Sequence, residues 1–464
     1  MKFTFLLTFL SLYICITTTL YAQQSDNVRA EQVQGKMTLE ECLEYAYQNN
    51  ATLKNAALEQ NIAKADVGVT KADGLPQING SISYNNNVAI QTQFLPAVFF
   101  ADDPTEVPAD APAVPVQFGV QHTSNAGASI SQMIFDGSYF VGLKAARTYA
   151  DLMQKNFNQT KVDLAEQVMK AYYTVLVNEE RQKLINSNFN RLDTLLNETR
   201  IMYENGFVEK IDVDRIRVQF NNAKTERDKT IRLTEVSYLL LKFQMGMPID
   251  QEILLADNIG DINMDLEIEE EVNFEYSHRI DYATLQINRE LVSLDLKNNR
   301  VQYLPGLTAN ASVGYNTGVN DFGMITDFSD QWFQYGFFGF NLDIPIFDGL
   351  RKHHRIQKNQ LQLQQLENQT RQLENNIDLE IVQAKVSLQN SVETLAVQQE
   401  NLELARYVFD VAKIKFQEGV GSNLEVITAE DELQTAETNY FSALYDALIA
   451  KVDLERALGN LIEK

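Results

Sequence analysis

Polar and apolar residues alternate at two places along the chain. Ile78, Gly80, Ile82 and Tyr84 alternate with Asn79, Ser81, Ser83 and Asn85; Leu307, Ala309, Ala311, Val313 and Tyr315 alternate with Thr308, Asn310, Ser312, Gly314 and Asn316. Period two with one wet face predicts β-strands. Partners at about residues 126–135 and 338–347 complete β-hairpins at about 77–135 and 306–347. In the second partner Phe338, Phe340, Leu342, Ile344 and Ile346 share a face, with Asn341 and Asp343 on the other. Pro345 is tolerable there only because the strand is ending. The connections differ. About 89–117 carries Pro96, Pro104, Pro108, Pro112 and Pro115 and reads as an irregular surface loop. The second connection, about 317–331, is shorter and closes at Trp332.

Helical periodicity follows each hairpin, uninterrupted by proline over 137–247 and 349–464. Asp136-Gly137 and Asp348-Gly349 stand at the strand-to-helix junctions, where a carboxylate can accept from free backbone amides. Runs of about 65–70 residues, about 100 Å of helix, lead to Gly206 and Gly419, which suit left-handed turns. Helices of about 40 residues then return. Within the second long helix Leu366, Ile377, Ile381, Ala384, Leu388, Val392 and Leu395 include pairs eleven residues apart. That spacing lets helices pack almost straight. With Gln, Asn and Glu over much of the remaining surface, the pattern suggests the wall of something hollow.

The two halves repeat one another. Ile134-Phe135-Asp136-Gly137 recurs as Ile346-Phe347-Asp348-Gly349, and Tyr203-Glu204-Asn205-Gly206 corresponds to Phe416-Gln417-Glu418-Gly419. Lys210-Ile211-Asp212-Val213 matches Asn423-Leu424-Glu425-Val426, Met245-Gly246 matches Leu458-Gly459, and Leu75-Pro76 matches Leu304-Pro305. The order reads as an internal tandem duplication. Residues 23–247 form the first repeat, with long helices over 137–247; residues 248–464 form the second, with long helices over 349–460. Residues 1–22 (Lys2, an apolar run from Phe3 to Leu12, then Ala22) read as a signal peptide. Cys15 raises lipidation, and Ile14 before it argues against that. Beyond the leader no apolar run approaches the roughly 20 residues of a membrane helix. The mature chain is therefore either soluble or crosses a membrane as strands.

The 464 residues carry a net charge of −24, which argues against nucleic acid as a partner. The same acidity fits cations in an aqueous passage or plain solubility equally well. Cys42 is the sole cysteine past the leader, so no disulfide forms within the mature chain. His122, His278, His353 and His354 lack zinc spacing. Gly419-Val420-Gly421 begins like a dinucleotide loop but follows a helix. No enzyme activity, metal or cofactor is expected.

Thr38-Leu39-Glu40-Glu41 is a capping-box sequence. Together with the Leu-Pro pairs, both Phe-Asp-Gly junctions and the glycine turns followed by Asp212 and Glu425, it resembles the TolC family of outer-membrane efflux proteins, over about residues 37–460. The resemblance implies a mainly α fold with a small β part, assembled as a homotrimer. Each protomer would give four strands to a transmembrane β-barrel and long helices to an α-helical barrel in the periplasm. It implies a passive exit duct in outer-membrane lipid, serving a tripartite efflux or secretion system. A periplasmic adaptor (membrane fusion) protein would open it, and an inner-membrane transporter would supply the energy. The need to oligomerise stands independently. Four strands fall short of the roughly eight of single-chain barrels, and lipid does not tolerate open strand edges.

The resemblance further implies that acids beyond the turns at Gly206, Gly419 and Gly421 line a constricted periplasmic tip. Glu425 corresponds to a gate acid, Thr428 stands where a second acid often lies, and Gly421 replaces a position that can be basic. Asp212 corresponds to Glu425 in the first repeat, with Asp214 beside it. The residues by themselves fit solvated helix-surface acids as well. Phe338, Phe340 and Trp332 belong either to a lipid-facing band or to the buried face of an ordinary sheet; no obvious apolar helix stripe covers such a sheet, which favours the band. The main rival function is a soluble periplasmic coiled-coil scaffold or adaptor.

Overall fold

A computed structural model describes residues 36–103, 105, 107–259, 274–326 and 330–462. The expected signal peptide, with Cys15, lies outside the described residues. A two-residue strand β1 (Lys36–Met37) leads into α1 (Leu39–Asn49). Thr38 and Glu41 form the capping box: the Glu41 carboxylate accepts from the Thr38 N–H at 2.8 Å, and the Thr38 hydroxyl accepts from the Glu41 N–H at 3.3 Å. Asn50 breaks the lead, its side chain accepting from Thr52 and Leu53 amides to start α2 (Ala51–Ala72). Leu75-Pro76 then turns the chain into β2 (Gln77–Asn86).

The pairing partner of β2 is β5 (His122–Phe135), and α3 (Gly137–Glu204) and α4 (Lys210–Met245) form the first helical hairpin. The second half runs through a short strand β6 (Leu254–Leu255), α5 (Ile280–Val301), β7 (Gly306–Val319) and β8 (Phe333–Asp343). It ends in the hairpin of α6 (Arg351–Gln417) and α7 (Asn423–Leu458). At 68 and 67 residues, α3 and α6 are each about 100 Å long. No helix among the described residues is long and apolar enough to cross a membrane.

The long strands form one antiparallel sheet in the order β2-β5-β7-β8, so both hairpins share it through β5 and β7. Two expectations are corrected. The last strand occupies 333–343 rather than 338–347, so Ile344 and Ile346 lie beyond the sheet. Pro345 has no N–H to donate, and the left-handed Gly349 and Leu350 redirect the chain. The proline-rich segment is not wholly irregular: β3 (Thr92–Leu95) and β4 (Val114–Gln117) pair as a separate ribbon. Pro115 is accommodated because a two-stranded ribbon is all edge.

The helices form a layer whose neighbour order near the sheet is α2-α3-α5-α6; farther from it the order is α4-α3-α7-α6. Its apolar contacts gather in separate clusters along the length. One joins Met37, Cys42, Tyr172, Leu241, Met245 and Leu255 around the parallel β1–β6 pair. There the Tyr172 hydroxyl donates to Asp257 at 2.6 Å. Another joins Leu195, Ile216, Phe409, Phe416, Val426 and Leu433 from all four hairpin helices near the far tip.

The eleven-residue stripe falls as expected: Ile377, Ala384 and Leu388 are buried and Leu366, Ile381, Val392 and Leu395 half-buried. On the opposite face of α6, Leu379, Val382, Val386, Val397, Leu404 and Val408 form a second apolar stripe that is exposed. At 3.6 residues per turn these six fall within about a third of the helix circumference.

Candidate functional site at the helical tip

Each long helix ends in a tight glycine turn. Gly206 has φ +80° and Gly419 φ +73°, a region where a side chain would be strained. Gly421 has an ordinary φ and is required for another reason. A Cβ there would lie 2.8 Å from Lys415 Cβ and 3.1 Å from Phe416 N. Its own N–H donates to the Lys415 carbonyl at 3.0 Å. A basic side chain at 421 would therefore collide with the end of α6.

Beyond the turns the two acids matched by the repeat differ in setting. Asp212 is held: its carboxylate accepts from the Glu209 N–H at 3.2 Å and from the Asn423 side-chain amide at 3.1 Å. The same amide nitrogen lies 3.0 Å from the Asp212 carbonyl oxygen, and Arg215 sits at 3.9 Å. Asn423 is 4% exposed, so this bond ties the first helical hairpin to the second from within the tip. Glu425 is exposed; its N–H donates to the Ser422 hydroxyl that caps α7. Asp214 is also exposed, 3.6 Å from Arg217. Thr428 donates its hydroxyl to the Leu424 carbonyl at 2.9 Å and offers no charge. The structure thus brings Asp212 together with Asn423, not with Glu425.

Between about one and three helical turns beyond Glu425, α7 carries acids on its buried face. Glu430 is 2% and Glu437 5% exposed, and they share Arg191 of α3, at 3.4 and 3.9 Å. Burial pushes the Glu437 carboxyl up to about 7, against the opposing pull of Arg191 and Arg406. Burial also raises Glu430, again opposed by Arg191. A cavity of about 30 Å³ adjoins Glu437, Asn188, Arg181 and Glu226. Sequence inspection missed this cluster. Its signal was two acids seven residues apart on the same stripe as Val426 and Leu433.

At the first strand-to-helix junction Asp136 accepts from Ser138 and Tyr139 amides at 2.6 and 3.3 Å, and α3 starts at Gly137 as expected. The second junction differs. Gly349 and Leu350 are both left-handed, α6 starts at Arg351 rather than at 349, and Asp348 accepts from the Lys352 N–H at 3.1 Å.

Long paired helices thus stand on one four-stranded antiparallel sheet. The model of the family described as outer membrane efflux protein matches residues 42–227 and 278–460, and the chain belongs to that family. It is 20% identical over 427 residues to outer membrane protein TolC of Vibrio cholerae, covering 92% of this chain and 91% of the relative. To alkaline protease secretion protein AprF of Pseudomonas aeruginosa it is 21% identical over 351 residues, covering 72% and 69%. The fold is similar to the crystal structure of CusC, a protein described with transmembrane channel formation, at TM-score 0.73 and 16% identity, covering 94% and 95% of the two chains. The chain is accordingly a protein of the outer membrane that extends into the periplasm.

Proposed function

We propose that the chain is one protomer of a homotrimeric, passive exit duct, opened at its periplasmic tip by an adaptor protein and fed by an inner-membrane transporter. The observation that carries this reading is a coincidence of edges. The sheet ends at β2 on one side and β8 on the other, and the helical layer beside it ends at α2 and α6. Both edges expose apolar stripes: Leu58, Ile62 and Val69 on α2 near the sheet, and, farther out where the layer runs from α4 to α6, the six residues from Leu379 to Val408 on α6. One ring of protomers would pair β8 with the next β2 and cover both stripes, leaving no open strand edge in lipid. The strands have 10 to 14 residues across the four, against the roughly 9–11 that a membrane β-strand requires. Exposed Phe338, Phe340, Ile78 and Ile82, which share one face of the sheet, supply apolar surface for the bilayer. A soluble scaffold would leave these side chains in water.

Within this reading Glu425 is the acid presented to solvent at the mouth, where a ring of carboxylates attracts cations. Asp212 acts differently, as a brace that keeps the two hairpins together; Asp214 and Thr428 border the same mouth. The test is planar-bilayer conductance of the purified oligomer, wild type against E425Q. Small cation-preferring currents that lose their preference in E425Q support both the duct and the acid. Unchanged selectivity removes Glu425 from the mouth. Absence of any pore from folded, oligomeric protein overturns the duct.

A further inference from the structure

The first two turns of α6 concentrate positive charge in a strongly acidic chain. Arg351, His354, Arg355 and Lys358 follow the i, i+3, i+4, i+7 spacing that places residues on one helix face, and all four are exposed, as is His353. Lys352 points the other way: it is buried, paired with Asp348 at 3.3 Å and set over the Tyr303 ring at 4.9 Å. Among the described residues Arg351, Arg355 and Lys358 make no ion pair. Of the nearby acids Asp136 caps α3, Asp348 holds Lys352 and Asp295 accepts from Asn359, while Asp343 lines the same cleft as Arg351 and Arg355 without an ion pair to either.

The scaffold does not need these cations. They lie where the helix's own partial charge is positive, so they weaken α6 rather than support it. The corresponding stretch of the first repeat, residues 139–146, has one cation, Lys144, and that one is paired with Glu290 at 2.9 Å. The chain immediately before the α6 cations is apolar and bare. Between the end of β8 and the start of α6 the chain exposes Ile344, Ile346 at 92%, Phe347 at 79% and Leu350. An apolar rung followed at once by a cationic one is the profile of a segment seated at a bilayer surface, with apolar side chains in the acyl region and cations among headgroups. Arg351 to Lys358 rises about 10 Å, enough to cross one headgroup layer of roughly 5–7 Å.

We propose that the cationic face Arg351/His354/Arg355/Lys358 docks on anionic phospholipid headgroups of the periplasmic leaflet, and that Ile344, Ile346, Phe347 and Leu350 insert beside it. This rests on the outer-membrane duct reading, in which the sheet spans the bilayer and α6 leaves it at this level. With a net charge of −24 the protein as a whole is repelled by an anionic surface, so local cations at this depth fix how far the barrel sits in the membrane.

The test reconstitutes the full-length oligomer into phosphatidylcholine vesicles containing trace spin-labelled phosphatidylglycerol or spin-labelled phosphatidylcholine. Electron paramagnetic resonance then reads the fraction of each label immobilised by protein. Wild type is expected to favour the anionic label by at least about five-fold, the factor that one Lys or Arg near such a surface contributes. That preference should fall as salt is raised. In R351Q/R355Q/K358Q it should drop to near one while the pore conductance persists. Equal immobilisation of both labels by wild type overturns the proposal without needing the variant, and so does a preference unchanged in the variant. A variant that falls apart into monomers, beside a wild type without lipid preference, would instead identify the stripe as a subunit contact. Wild type that fails to insert or conduct would sink the duct reading itself, a result distinct from all of these.

Discussion

Replacing Glu437 with Gln tests whether the buried acids set how firmly α7 is held against α3. Glu437 is 5% exposed and 3.9 Å from Arg191, whose guanidinium lies closer to Glu430, at 3.4 Å. One cation therefore serves two carboxylates, with Arg406 of α6 adding a weaker pull on Glu437. Burial is the largest cause of the rise in Glu437 from 4.5 to about 7. At 1.36 kcal/mol per unit, that shift corresponds to about 3 kcal/mol per protomer. The sign follows from proton counting. Between about pH 4.5 and 7 the folded protein holds a proton at this site that the unfolded chain has lost, so stability declines as pH rises through that window and levels off above it. Gln mimics the neutral acid at every pH. At pH 8, E437Q should therefore protect the amides of residues 430–441 from hydrogen exchange by up to about a hundred-fold more than wild type. Near pH 4.5 the two proteins should match. Comparing them at one pH cancels the intrinsic exchange rate. An equal ratio at both pH values, or weaker protection in E437Q at pH 8, would refute the argument that an ionised Glu437 strains the seam.

Local signals made the order of elements and the ends of the long helices legible in the sequence, because proline, glycine and capping residues act within a few positions. The corrections arose where a local pattern outran its hydrogen bonds. Alternation of Phe338, Phe340 and Leu342 continues through Ile344 and Ile346, but β8 stops at Asp343 because Pro345 cannot donate. Its beginning at Phe333 was hidden because the polar-apolar pattern does not alternate through Phe337-Phe338. At the tip the repeat made Asp212 and Glu425 look equivalent. Asn423, distant in sequence from Asp212 and buried between the hairpins, separates their roles. The exposed stripe on α6 was readable in principle, since Val386 and Val397 keep the same spacing as the buried stripe. Two apolar faces on one long helix mean two sets of neighbours, and one protomer supplies only one.

The remaining predictions concern the tip and the strand-to-helix junction. D136A removes the cap of α3 and should cost about 1 kcal/mol, seen as faster hydrogen exchange confined to the first turn after Gly137. G421A forces a Cβ to within 2.8 Å of Lys415 Cβ and should destabilise the α6–α7 turn by about 1–3 kcal/mol; trypsin cutting after Lys415 reads this, and unchanged cleavage would show that the turn absorbs the methyl group. N423A deletes the amide that bonds the Asp212 carboxylate and lies beside its carbonyl, at 3.1 and 3.0 Å. A loss of about 1–2 kcal/mol is expected, enough to raise the open-to-closed ratio in planar bilayers by about ten-fold if that bond holds the hairpins together. N423D should open the tip further, because it sets a second carboxylate against Asp212 where a donor had been. E425Q should alter selectivity without altering opening. If N423A and N423D both stay as closed as wild type, Asp212 is a helix cap and nothing more, and the brace between the hairpins must be sought among the apolar contacts of Ile216, Phe416 and Val426.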